Sequence, residues 1–193
     1  MKAPLAPLRK AVFLDRDGVI NEERRYVHRI EDCHLLPGVI TALQLLQREG
    51  WALVVVTNQA GIARGFYTEA DLEKLHTHLR RMLSEQGVVL DGIYFCPHHP
   101  TAGQGAYRMD CGCRKPQPGM LLRAAAELRL HISTSVLVGD KRSDLEAGRA
   151  AGLAACVLVR SGHPISEADC RFADSCTDDL LRAAVWITRQ VVI

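Results

Sequence analysis

The run Ala11-Val12-Phe13-Leu14 breaks off into Asp15-Arg16-Asp17-Gly18, and this junction constrains the fold more than any other stretch of the chain. A short, continuous apolar run suits a strand buried on both faces. Two carboxylates just past its end stand where open α/β sheets bind ligands, outside the carboxyl ends of their strands. Side chains two apart on an extended chain point the same way, so Asp15 and Asp17 can converge on one spot. A metal ion would relieve their repulsion and leave one carboxylate free to attack phosphorus. A charged turn would look the same in isolation, so the reading depends on the rest of the chain.

Further apolar runs repeat the pattern. Trp51–Val56 is a second one, ending in Thr57-Asn58, and Val136-Leu137-Val138-Gly139 runs into Asp140, with Asp144 four residues on. Between them Arg114-Lys115-Pro116 opens a helical stretch. Helical spacing fills the intervals: Val39, Leu43 and Leu46 after Pro37-Gly38, then Leu72, Leu75, Leu79 and Met82 after the capping sequence Thr68-Glu69-Ala70-Asp71. An irregular third strand is predicted over Val88–Phe95, a helix from Pro118, and strand four over Ser135–Gly139. A helix over Ser143–Ala151, strand five over Ala154–Val159 and a last helix capped by Thr177 complete the pattern. Strands alternating with helices predict an α/β fold, a Rossmann-like parallel sheet with helices on both faces. Residues 1–193 are expected to form a single domain.

Lys and Arg number 24 against 22 Asp and Glu, a net charge of +2 that gives no bulk electrostatic case for a nucleic-acid partner. No apolar run approaches the ~20 residues of a membrane span. Met1–Lys10 carries prolines and two basic residues but no apolar signal core. A cytoplasmic monomer with no membrane partner is expected. Of seven cysteines, Cys33, Cys156, Cys170 and Cys176 are scattered and read as ordinary reduced residues. The other three cluster with a histidine, as Cys96-Pro97-His98 and Cys111-Gly112-Cys113, in a loop (96–113) with no periodic pattern. Two such pairs of soft ligands can close a tetrahedral Zn²⁺ site, with His99 as the alternative to His98. Four protein ligands leave no open position, so this zinc would be structural and would stiffen the loop that delivers Arg114 and Lys115.

Taken in order, Asp15-x-Asp17, Thr57-Asn58, Lys115 and Asp140 resemble the four-motif signature of the haloacid-dehalogenase-like hydrolases, a superfamily dominated by phosphatases. The resemblance implies Asp15 as nucleophile and Asp17 as general acid and base. It also implies Thr57 and Lys115 as phosphoryl-binding groups. Mg²⁺ would be held by Asp15, Asp140 and the backbone carbonyl of Asp17. Asp144 could stand behind the Mg²⁺ ligands or simply stabilise a helix N-terminus. Many members carry a cap domain after strand one or strand three. Here Gly18 to Leu36 is too short for one, and the second gap holds the zinc loop, so a capless site roofed by loops is expected.

Further segments narrow the resemblance: Ile20-Asn21, Arg25-Tyr26-Val27, Thr57-Asn58-Gln59-Ala60-Gly61-Ile62-Ala63-Arg64-Gly65, and Asp91-Gly92-Ile93-Tyr94-Phe95-Cys96-Pro97-His98-His99-Pro100. With Cys113-Arg114-Lys115-Pro116 and Val138-Gly139-Asp140-Lys141 they look like the heptose bisphosphate 7-phosphatases, a capless zinc-loop branch. That implies a small sugar phosphate as substrate, hydrolysed at its 7-phosphate. The implied contacts are Glu23, Arg24, Arg25, Tyr26, Thr57, Asn58, Gln59, Ala60, Arg114 and Lys141. Glu22-Glu23-Arg24-Arg25 is more charged than the small or mixed residues expected there. Arg64, as a cation, suits a second phosphate better than the amine of histidinol phosphate, the substrate of the closest rival family. A polynucleotide 3′-phosphatase would need stacking aromatics along a basic groove, and the chain has four Phe, two Trp and four Tyr.

Overall fold

The computed structural model describes residues 8–103 and 105–190, so most of the stretch Met1–Lys10 lies outside the described residues. In chain order the elements are β1 (Ala11–Leu14), α1 (Val39–Arg48), β2 (Ala52–Asn58), α2 (Ala60–Ala63), α3 (Glu69–Ser84) and β3 (Gly92–Cys96). There follow α4 (Gly119–Leu128), β4 (Val136–Gly139), α5 (Arg142–Ala151), β5 (Ala155–Val159), α6 (Glu167–Phe172), β6 (Ser175–Thr177) and α7 (Leu180–Gln190). Six parallel strands form one sheet in the order β3-β2-β1-β4-β5-β6.

Strand alternation sorts the core into two layers. Val12 and Leu14 of β1, Leu53 and Val55 of β2, and Val136 and Val138 of β4 face α1, α3 and α7. Phe13, Val54, Val56 and Leu137 face α4 and α5, packing with Met120, Leu121, Ala124 and Leu145. Every residue of β1, β4 and β5 is buried, which is why these strands read as unbroken apolar runs rather than alternating ones. The strand order reverses between β1 and β4, where Leu14 stands beside Val138. A switch point of this kind opens a crevice at the carboxyl ends. Only short 3-10 turns occur among the described residues between β1 and α1 and between β3 and α4, so the fold is capless as expected.

Several boundaries differ from those the sequence predicts. β2 continues through Thr57 and Asn58, because both still pair with β3, opposite Phe95 and Cys96. β3 begins only at Gly92, since the preceding Asp91 turns its carboxylate onto the backbone N–H of Leu53 (2.9 Å) and onto Arg9 (2.7 Å). α6 and β6 are absent from the sequence pattern; Ser175–Thr177 is short, half-buried and without an apolar run. Thr177 does not cap α7. Asp179 does, accepting the Arg182 N–H at 2.8 Å. Cys170 and Cys176, scattered in sequence, are brought together where the chain doubles back from α6 into β6, their Cα atoms 5.3 Å apart.

Leu43, on α1 between the sheet and α7, has no exposed surface. Leu43→Ala is expected to lower the unfolding free energy by about 2–5 kcal/mol, measured by urea titration. A loss under ~0.5 kcal/mol would contradict that packing.

Candidate active site

The site assembles at the switch point. Asp15 directly follows β1 and stays tied to the sheet, its N–H donating to the Val138 carbonyl at 3.0 Å. Asp140 directly follows β4, and the chain then enters α5, which carries Asp144 in its first turn. Carboxylate oxygens of Asp15, Asp140 and Asp144, all buried, lie within 4.8 Å of one another. Gly18 sits at φ +81° beside this cluster, and a Cβ there would run into the Asp140 carboxylate.

Lys115 reaches this group from the other side of the cleft. Its buried ammonium lies 3.1 Å from Asp15 Oδ2 and 2.7 Å from Asp144 Oδ1, and it donates to the Val56 carbonyl at 2.8 Å. Burial alone would lower the Lys115 pKa, but Asp144 and Asp15 outweigh it and hold the group charged. Asp144 makes the helix N-terminus contact considered for it. It accepts the Lys141 N–H at 3.0 Å at the start of α5 and also anchors Lys115. Burial raises the Asp144 pKa despite that partner. Burial, followed by the charge of Asp15, also raises Asp140. Asp140 Oδ2 meets the backbone N–H of His163 (3.1 Å) and its Nδ1 (2.7 Å), whereas Oδ1 is buried with no hydrogen-bond partner among the described residues.

Asp17 faces the same cleft but does not join the Asp15–Asp140–Asp144 cluster, because the chain leaves the extended conformation after Leu14. Its carboxylate is gripped by Arg16, whose Nη2 donates to both oxygens (2.9 and 2.8 Å) and to the Val27 carbonyl (2.6 Å). Arg16 is fully buried, and its Nη1 lies 3.4 Å from His76 Nε2 on α3. Asn21 donates to Asp17 Oδ1 at 2.9 Å and Gln59 to Oδ2 at 3.2 Å. Gln59 also donates to Thr57 Oγ1 at 2.8 Å and accepts from Tyr67 Oη at 2.6 Å. Arg16, His76, Tyr67 and His163 were missed from the sequence. Arg16 lies between two singled-out aspartates, and His163 follows strand five much as Asp140 follows strand four, so those two were within reach of the same logic. Nothing local marks His76 or Tyr67.

The crevice above these groups has a volume of about 770 Å³. Asp15, Asp17, Thr57 and Lys115 border it, as do Glu23, Arg25, Tyr26, Asn58, Gln59, Ala60, Arg64, Arg114 and Lys141. Arg24 alone of the sequence-predicted contacts does not; it turns to Glu22, 2.6 Å away. Asn58 clamps the backbone of Lys115, accepting its N–H at 3.1 Å and donating to its carbonyl at 3.0 Å. Lys141 Nζ stands 4.0 Å from Glu23. Arg25 and Tyr26 both hold positive φ, +56° and +60°. The exposed Tyr26 ring meets Phe66 edge-on at 4.9 Å.

Beside the cleft, Cys96, His98, Cys111 and Cys113 converge. Their sulfurs stand 3.2 to 3.5 Å apart. His98 Nδ1 lies 3.5 Å from Cys113 Sγ and 3.7 Å from Cys96 Sγ. A tetrahedral metal with bonds of about 2.3 Å to sulfur has ligand–ligand edges only slightly longer. His99 is not part of this group and borders the cleft instead.

The carboxylates after β1 and β4 and the buried lysine define a haloacid-dehalogenase-like phosphoric monoester hydrolase, and the model of the HAD-hydrolase-like family matches residues 112–183. The D-glycero-beta-D-manno-heptose-1,7-bisphosphate 7-phosphatase of Pasteurella multocida (strain Pm70) is 50% identical over 160 residues, covering 83% of this chain and 86% of its own. The enzyme of that name from Escherichia coli (strain K12) is 50% identical over 156 residues, 81% of this chain and 82% of its own. The crystal structure of D,D-heptose 1,7-bisphosphate phosphatase from B. bronchiseptica, complexed with magnesium and phosphate, superposes with a TM-score of 0.79 at 33% identity, covering 94% of this chain and 99% of that one. The chain belongs to this family of heptose bisphosphate phosphatases. No described helix is long and apolar enough to cross a membrane.

Burial, reinforced by Arg16 and Arg80, pushes the His76 imidazole down from 6.5 to about 3. Between those values the unfolded chain binds a proton that the folded one does not, so stability should fall as pH drops through this window. His76 contributes at most about 1.4 kcal/mol per pH unit. Urea titrations from pH 7 to pH 4 should show a shallower pH slope in His76→Gln than in the wild type; equal slopes would mean that His76 is not held neutral.

Proposed function

We propose that this chain removes the 7-phosphate of D-glycero-β-D-manno-heptose 1,7-bisphosphate, leaving heptose 1-phosphate for nucleotide-activated heptose synthesis. The observation that carries the chemistry is the Lys115 ammonium, held between Asp15 and Asp144 at the floor of a wide polar cleft. The β anomer follows from the names of relatives at 50% identity. A cytoplasmic monomer with no nucleic-acid or membrane partner belongs to the same reading.

Asp15 attacks phosphorus, and Asp17 gives a proton to the departing sugar oxygen. The result is an aspartyl-phosphate on Asp15 and the free sugar hydroxyl. Asp17 then takes a proton from the attacking water, which releases inorganic phosphate and returns Asp15 to its carboxylate and Asp17 to its acid form. Arg16, Asn21 and Gln59 fix the Asp17 carboxylate for both proton transfers. Lys115 and the Thr57 hydroxyl stabilise charge on the transferring phosphoryl oxygens.

The donor set fits a hard divalent cation: clustered carboxylates, an Asp140 oxygen with no other partner, and oxygen ligands throughout. Asp15, Asp140 and the Asp17 backbone carbonyl would hold Mg²⁺, which when bound neutralises phosphate charge. Three thiols with one imidazole fit Zn²⁺ in a closed structural site at Cys96, His98, Cys111 and Cys113.

Asp15→Asn should reduce phosphate release from the β-heptose bisphosphate to background, with circular dichroism unchanged, because an amide is a poor nucleophile. Near-normal turnover by that variant would exclude covalent catalysis through Asp15, and faster turnover of histidinol phosphate by the wild type would overturn the substrate assignment. For the thiol cluster, elemental analysis should give about one zinc per chain. Cys111→Ala should cost on the order of 100-fold in heptose bisphosphate hydrolysis by loosening the loop that carries Arg114 and Lys115. Turnover of p-nitrophenyl phosphate should fall less. Equal losses on both substrates, or zinc-free active protein, would remove the zinc loop from substrate positioning.

A further inference from the structure

His99 stands next to a zinc-cluster residue yet takes no part in the cluster, and its orientation is fixed by the residues just after it. Its Nδ1 accepts the backbone N–H groups of Thr101 (3.2 Å) and Ala102 (2.9 Å). An amide N–H can only donate, so Nδ1 carries no proton and the neutral ring must carry its hydrogen on Nε2. The backbone is pinned as well, His99 N–H donating to the Tyr107 carbonyl at 3.0 Å. The ring therefore presents one fixed N–H donor, and it borders the main cleft together with Arg64 and Arg114.

The same loop gathers these two cations. Arg114 Nη1 donates to the carbonyl of His98 at 3.1 Å, which ties the guanidinium to the backbone bearing His99. Gly103 packs so closely against Ala63 that a Cβ would collide with the Ala63 carbonyl, docking the loop tip beside Arg64 at the end of α2. His99, Arg64 and Arg114 thus border one cleft.

We propose that His99 is a specificity-determining residue, its Nε2–H completing with Arg64 and Arg114 a second anion subsite for the phosphate that is not hydrolysed. The inference rests on the bisphosphate reading above and adds a neutral, directional donor to the two cations. A point charge accepts any anion, whereas a fixed N–H held by two backbone bonds also selects where the phosphate sits.

The test is the ratio of kcat/KM for heptose 1,7-bisphosphate to kcat/KM for heptose 7-phosphate, which lacks the retained group. A hydrogen bond to a charged group corresponds to roughly a 10- to 100-fold effect. His99→Ala should lower the ratio by about that factor, mainly through KM for the bisphosphate. His99→Gln, which keeps an N–H donor, should recover part of it. Inhibition by heptose 1-phosphate should weaken in parallel in His99→Ala, more than inhibition by inorganic phosphate. An unchanged ratio, or equal losses on both substrates with the zinc content intact, would overturn the assignment. A wild-type enzyme inactive on the heptose bisphosphate would instead overturn the substrate reading. The subsite is then judged by the same ratio on fructose 1,6-bisphosphate and fructose 6-phosphate.

Discussion

The site turns on one buried cation. Lys115 brings its ammonium to Asp15, Asp144 and the Val56 carbonyl, linking the ends of β1 and β2 to the first turn of α5. Clustered carboxylates repel, and burial raises the cost of ionising each of them. A lysine paired with two of them offsets that cost and holds the Asp15 carboxylate in place. The dependence is mutual: removing either carboxylate would leave the ammonium buried and underpaired, a change that in other proteins costs several kcal/mol.

The lysine is positioned from outside the core sheet. It has no strand of its own and comes from the segment after the thiol cluster, where Asn58 clamps its backbone on both sides. β2 thus contributes Thr57 to the cleft and Asn58 to the incoming loop. The zinc-type cluster, the Asn58 clamp and the ion pairs form one continuous path from Cys96 to Asp15. This is how a loop of low intrinsic order can present a catalytic group accurately.

A second path fixes Asp17. Asp17 is held through Arg16, which is backed by His76 on α3 and by the Val27 carbonyl. Gln59 joins this path to Thr57 and Tyr67. The two aspartates, two residues apart in sequence, are therefore supported by different layers: Asp15 by the sheet and Lys115, Asp17 by a buried polar network reaching helix α3. That division suits the roles proposed for them, one carboxylate attacking while its neighbour moves protons.

The sequence by itself determined the strand–helix alternation, the parallel sheet and the principal carboxylates. These come from apolar runs ending in charged residues, which are local and strong signals. It also singled out the three clustered cysteines, because cysteine pairs in a structureless loop have few other uses. Tertiary structure alone decided which histidine joins them. Adjacent imidazoles are equivalent in sequence, and only the Thr101 and Ala102 amides turn His99 away towards the cleft. It likewise decided that Arg24 pairs with Glu22 while Arg25 borders the crevice, that Cys170 meets Cys176, and that His163 meets Asp140. Each of these depends on where a loop returns after leaving the sheet. Hydrophobic periodicity sets the sheet and its helices, but it carries no information about the path of a polar loop, which is fixed by contacts between residues distant in the chain.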